Sequence, residues 1–144
     1  MKSDIIKELN TFLEGNYMAI HAYEKYIHQV NDSDIKQTLQ NIQQNHKRHA
    51  AMIAERIQNL NGIPVDGVGI KGTMAVLVNK LKGSSNDPTF ILRDALEGEN
   101  KGIEISKKLV DGDLDPESLA LVQKVLTYDQ KHIKLLDELI AQKR

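Results

Sequence analysis

The sequence predicts an all-α chain, an antiparallel four-helix bundle made of two helical hairpins joined by one long crossover. Three observations predict it. Only 4% of the residues are aromatic and only three are proline, whereas Leu, Ile, Lys, Glu and Gln are plentiful, a composition that suits long helices and not β-sandwiches. Apolar residues recur at helical spacing along four long segments. The breaks between these segments are short, long and short in turn, which settles how the segments connect.

The first stripe runs from Ser3 to about Val30 through Ile6, Leu9, Leu13, Ile20, Ile27 and Val30, one face of an amphipathic helix. Asn31, Asp32 and Ser33 break it. The second stripe follows through Ile35, Leu39, Ile42, Ile53, Ile57 and Leu60, and stops at Asn61-Gly62-Ile63-Pro64, a helix end with glycine past it and proline beyond. Residues 61–70 hold three glycines and a proline and form a connector, in which residues 71–82, KGTMAVLVNKLK, are expected to make a short extra helix. After the break at residues 83–86, Asp87-Pro88 reads as an N-cap with proline at the first helical position. The third helix reaches about Val110, with Leu92, Leu96, Ile103 and Val110 inward. Asp115-Pro116 opens the fourth, with Val122, Val125, Leu136 and Ile140 inward. Short links make antiparallel hairpins, and a middle link of more than twenty residues is long enough to cross the bundle. Two hairpins joined by one crossover is the ferritin-like arrangement.

The chain of 144 residues fits one domain, expected to span 1–144. The absence of cysteine excludes disulfide scaffolds, thiolate metal sites and thiol catalysis. Nineteen basic and twenty acidic residues leave a charge of −1 without a basic patch, so no nucleic-acid partner is expected. No apolar run approaches about 18 residues, so no membrane span is expected. The N-terminus MKSDIIKELN is charged and unlike a signal peptide, which makes the cytoplasm the expected compartment.

The second hairpin repeats the first at an offset of 83 residues without a gap, residues 4–57 returning as 87–140. Leu13-Glu14-Gly15 returns as Leu96-Glu97-Gly98, Ile20 as Ile103, His49 as His132, Ile57 as Ile140, and the helix-start residues Asp4 and Asp32 as Asp87 and Asp115. Such a repeat implies a bundle with pseudo-twofold symmetry.

The apolar stripes carry polar interruptions at matched positions. Asn16 corresponds to Glu99, His46 to Asp129 and His49 to His132. Burying such groups unpaired costs roughly 2–7 kcal/mol for each neutral group and more for a charge. The spacing of His46 and His49, and of Asp129 and His132, puts each pair on one helix face. Three histidines and two carboxylates at one level are ligands for a first-row metal, and the spacing matches the Glu-x-x-His motif of carboxylate-bridged di-metal bundles. The alternative is a satisfied polar layer without metal. His21 and His28 fall on the solvent side of the first helix, and Tyr128 points off the ligand face.

LNTFLEGNYMAIHAYEKYI resembles the first helix of bacterioferritin, and HAAMIAERIQNLNGIP resembles the end of its second helix from the metal-binding histidine onward. Over about residues 4–140 the chain resembles more closely a bacterial ferritin-like family of uncharacterised function, through LNGIPVDG, KGTMAVLVNKLKG, EGEN and HIKLLDEL. The resemblance implies a di-iron carboxylate site, with Glu99 the terminal carboxylate of the third helix, Asp129 the bridging carboxylate of the fourth, His132 its imidazole partner and His49 the imidazole of the second. Asn16 and His46 stand where the family has glutamates. Four such glutamates would supply −4, enough for two ferrous ions, whereas Glu99 and Asp129 supply −2. The reading is therefore one iron or zinc ion centred on Glu99, Asp129 and His132, with His46 or His49 completing the ligands, against the two irons of the family.

The resemblance also implies ferroxidase-like or peroxide-reactive chemistry in the handling of iron or oxidative stress. Ferritin cages add a fifth short helix, and this sequence stops at Arg144, so a homodimer is expected and not a 24-subunit cage. The competing reading is a metal-free helical scaffold or dimerisation protein that has lost an ancestral di-iron site.

Overall fold

The computed structural model describes residues 2–67 and 86–143. Four helices stand in order: α1 (Lys2–Gln29), α2 (Ser33–Asn59), α3 (Pro88–Val110) and α4 (Pro116–Gln142). The expected short helix at 71–82 lies outside the described residues.

Three helices begin as the sequence predicts. Asp32 accepts hydrogen bonds from the backbone N–H groups of Asp34 and Ile35, Asp87 from that of Thr89, and Asp115 from that of Ser118. Each carboxylate satisfies donors that a first helical turn leaves free, and it sits at the positive end of the helix dipole. The C-terminus of α2 differs in one detail from expectation. Asn61, and not glycine, takes the left-handed conformation, at φ 67°. Gly62 N–H then bonds the Ile57 carbonyl and Asn61 N–H the Gln58 carbonyl, a Schellman closure. Gly62 is needed for another reason: a Cβ there would stand 2.8 Å from Ile6 Cγ2.

The two hairpins, α1 with α2 and α3 with α4, pack most extensively. The sides α1–α3 and α2–α4 join them more lightly. The connector leaves α2 along α1, where Asn10 donates to the Ile63 carbonyl and accepts from Val65 N–H.

The core is divided along its length. One apolar cluster, at the α1–α2 turn, includes Tyr23, Tyr26, Ile35, Leu39, Leu92 and Leu136. The other, toward the opposite end, includes Leu9, Leu13, Ile53, Ile57, Val122 and Val125. In every helix the stretch between the two clusters holds buried polar residues, among them Asn16, His46, His49, Glu99, Asp129 and His132. A polar layer thus crosses a bundle whose interior is mostly apolar on either side.

Candidate metal centre

Helical spacing builds the layer. His46 and His49 stand one turn apart on α2, and Asp129 and His132 one turn apart on α4, each pair facing the bundle interior. Glu99 enters from α3 and Asn16 from α1, both buried.

Glu99 is the hub. Its Oε1 lies 2.7 Å from His132 Nδ1 and its Oε2 lies 2.8 Å from His46 Nε2. The Tyr23 hydroxyl donates to the same Oε2 at 2.9 Å. Asp129 Oδ1 stands 3.6 Å from His132 Nδ1, too long for a hydrogen bond, and has no hydrogen-bond partner. The Asn45 side-chain amide lies 3.0 Å from His132 Nε2, and Arg48 donates to the Asn45 carbonyl oxygen at 2.9 Å.

Four of the six sequence-predicted residues come together. His46, Glu99, Asp129 and His132 each offer one ligand atom, and these atoms lie within 4.8 Å of one another. His49 is not in that group: its ring meets Tyr128 edge-on at 5.0 Å, and its Nδ1 is buried without a partner. Asn16 lines the cavity that reaches His46, Glu99 and Asp129, and its Oδ1 is also unpartnered. His21 and His28 are exposed, as expected.

The charges follow from these contacts. Burial alone would raise Glu99, but the hydrogen bonds from His132 and His46 outweigh it and hold the carboxyl at about 2. Burial raises Asp129 above its ordinary value, and the neighbouring Glu99 charge adds to the effect. Burial works against a charged His132, yet Asp129 and Glu99 push it up to about 9. His49 is pushed down to about 4 by burial and by the positive potential of His46 and His132. Burial and then Glu99 push the Tyr23 hydroxyl well up, so it remains a donor. These are the three causes of a shifted pKa acting with different weights.

The donors present suit one divalent cation. Imidazole nitrogen and carboxylate oxygen are its ordinary ligands, and Asp129 Oδ1 already points into the cluster without a partner.

Three residues of the site escaped the sequence reading. Tyr23 falls on the buried stripe of α1, three residues after Ile20 and four before Ile27, so a pattern reading counts its ring as core and overlooks its hydroxyl. Asn45 and Arg48 flank the ligand face and look like solvated surface. No periodic signal separates them from their neighbours.

Two helical hairpins joined by one long connection, with a mid-height layer of histidine and carboxylate, have the ferritin-like four-helix architecture. The chain belongs to the family described as "Domain of unknown function (DUF2383)", whose model matches residues 4–111. Solved structures agree on the fold. A two-domain protein from Anabaena variabilis with DJ-1/ThiJ/PfpI-like and ferritin-like domains superposes with TM-score 0.82 at 24% identity over 100% of this chain. The chain spans 41% of that protein. A dodecameric thioferritin, the bacterioferritin-related protein of Bacteroides fragilis, gives 0.83 at 19% identity, covering 99% of this chain and 87% of that one. Ferritin-like diiron-carboxylate proteins from Bacillus anthracis give 0.76 at 21% identity, covering 96% of each chain. A comparison with curated proteins finds no match. Among the described residues no helix is long and apolar enough to cross a membrane.

Proposed function

We propose that this chain binds one iron ion in the bundle core, held by His46, Glu99, Asp129 and His132, and serves in iron or peroxide handling, as one ferritin-like domain that pairs as a homodimer. The observation that carries the reading is the convergence of four buried ligand atoms within 4.8 Å, contributed by three helices. The diiron-carboxylate and bacterioferritin-related neighbours support a metal of this kind.

Charge favours one ion over two. Glu99 and Asp129 are the only carboxylates in the cluster among the described residues, and their −2 matches one divalent cation. Excess charge in a buried site is costly. Zinc suits the same donors. His49 and Asn16, carried from the family pattern as ligands, stand beside the four and are assigned no bond to the ion. A bound iron with an open position would supply reactivity toward oxygen or peroxide. The protein's own residues prepare the place: Tyr23 orients Glu99 through its hydrogen bond, and Asn45 holds the outer edge of His132, the kind of support ligands receive from a neighbouring shell.

A second reading has its own observation. Glu99 is already satisfied by His132, His46 and Tyr23 without any metal, which suits a scaffold whose polar layer sets the register of the bundle.

Metal analysis of untagged protein after iron supplementation separates the readings. One iron per chain is the expected result; two would end the mononuclear assignment, and none would leave the scaffold. The doubly substituted Asn16→Glu/His46→Glu protein restores the −4 of four carboxylates and is expected to take two.

A further inference from the structure

A cavity of about 260 Å³ lies between α1 and α3 and reaches from solvent to the polar layer. Small side chains form part of its walls, among them Ala19 and Ala22 from α1 and Ala95 from α3, and larger apolar ones such as Phe12, Met18 and Ile105 complete them. Gly15 and Gly98 line the cavity where it opens to solvent; both are exposed, and a Cβ at either would meet nothing within 4 Å. Glycine within a helix costs about 1 kcal/mol relative to alanine, and neither glycine answers a backbone need, since no described glycine has a positive φ. Close helix packing does not account for them either, because a Cβ would touch nothing.

The inner end of the cavity is polar. Asn16, 7% exposed, lines it, and its carbonyl Oδ1 has no hydrogen-bond partner. A buried acceptor left unpaired costs roughly 1–3 kcal/mol, which a donor brought by a ligand would relieve. The opposite carboxylate, Glu99, is already bonded to His132, His46 and Tyr23. An anion would meet Glu99 and Asp129 at the inner end and is disfavoured. An organic cation would lose its hydration against mostly apolar walls.

We infer that the α1–α3 cavity is a binding site for a small, uncharged, mostly apolar molecule carrying a hydroxyl, an alcohol or phenol, whose O–H donates to Asn16 Oδ1. An apolar cavity of about 150 Å³ accepts benzene, so this larger one has room for a ring with a substituent. The hydroxyl end of the ligand lies beside Glu99 and Asp129, at the candidate metal centre. The site does not rest on a bound metal and is open in the metal-free chain.

Calorimetric titration of the full metal-free chain with phenol and with toluene tests it. Phenol is expected to bind saturably, one per chain, and toluene about fivefold more weakly, the share one neutral hydrogen bond carries. Gly98→Leu fills the cavity and is expected to weaken phenol at least tenfold. Gly98→Ala, whose Cβ is free of contact, is expected to weaken it less while keeping the fold, and it answers the question if the leucine variant does not fold. Asn16→Leu is expected to abolish the preference for phenol without loss of toluene. No saturable binding of either probe, binding unchanged in both Gly98 variants, or benzylamine binding more tightly than phenol would each overturn the inference. So would affinity that falls with rising protein concentration, which would mean that a second copy covers the cleft.

Discussion

The two hairpins place buried polar residues at the same heights and make different use of them. At positions 83 residues apart, α3 and α4 contribute Glu99, Asp129 and His132 to the cluster, whereas α1 and α2 contribute His46 alone. His132 and His49 show the contrast best. Both are 1% exposed. His132 faces two carboxylates and is pushed up to about 9; His49 faces two histidines and the Tyr128 ring and is pushed down to about 4. A histidine's role in such a core is set by what its ring nitrogen faces, and neither residue type nor burial distinguishes the two. The carboxylates sit in the second hairpin, so the second hairpin holds the charge.

The strongest break of this comparison is a pair of alanine variants. His132→Ala is expected to abolish the metal-dependent rise in melting temperature, and His49→Ala to keep it with affinity within about threefold. A ligand present at a hundred times its dissociation constant stabilises by about 2.7 kcal/mol, which for a chain of this size is roughly 5–10 °C. Thermal melts with and without ferrous ion read the difference. Equal losses in both variants would mean that His49 is a ligand after all and that the hairpins contribute alike.

Much of this arrangement is legible in the sequence, for a physical reason. A polar residue on an apolar stripe is conspicuous because burial without a partner is costly, so Asn16, His46, His49, Glu99, Asp129 and His132 stand out in the sequence, and all six are buried. Helix starts are equally legible, since Asp87-Pro88 and Asp115-Pro116 combine a side-chain acceptor with a residue that has no N–H to satisfy. Which histidine faces the cluster was not readable. His46 and His49 are one turn apart on one face, and a small rotation of α2 decides between them. Tyr23 was hidden because its ring belongs to the core while only its hydroxyl belongs to the site. The α1–α3 cavity was hidden because a glycine in a helix carries no sign of whether it admits a neighbour or leaves a space.

Acid and alkali should separate the two histidines in the metal-free protein. His132 binds its proton more tightly in the folded chain than at its ordinary value of about 6.5. Its stabilising contribution is therefore complete below pH 6.5 and is lost as pH rises through about 9, up to about 3 kcal/mol in all. His49 has the opposite sign. Its neutral form is the folded form, so it costs nothing above pH 6.5 and destabilises as pH falls toward about 4. Denaturation measured from pH 4 to 10, together with NMR titration of the imidazole C–H signals, would assign each limb. His49→Phe, which keeps a ring against Tyr128, is expected to flatten the acid limb alone. If both imidazoles titrate near 6.5, the contrast between the hairpins has no electrostatic basis.

The smallest expected difference lies at the bundle ends and repeats the asymmetry in a structural key. Asp32 and Asp115 both cap a helix, but their surroundings differ. Asp32 reaches the exposed Lys143 at 2.8 Å. Asp115 receives Arg56 at 2.6 Å, and the same guanidinium donates to Glu117 at 2.7 Å and to Ser118 Oγ at 3.0 Å. Arg56 on α2 therefore clamps the first turn of α4, and the matched position 83 residues on is Leu139, which cannot make such a clamp. Asp115→Ala removes both the cap and one arm of the clamp and is expected to cost about 1–2 kcal/mol. Asp32→Ala loses a cap and a solvated lysine contact, and its effect should be smaller. Urea denaturation of the two variants checks the order. Arg56→Met added to Asp115→Ala should cost less than the two single changes together, because both act on one contact. Additive losses would show that cap and clamp work independently, and that the second hairpin is not tied to the first at this end.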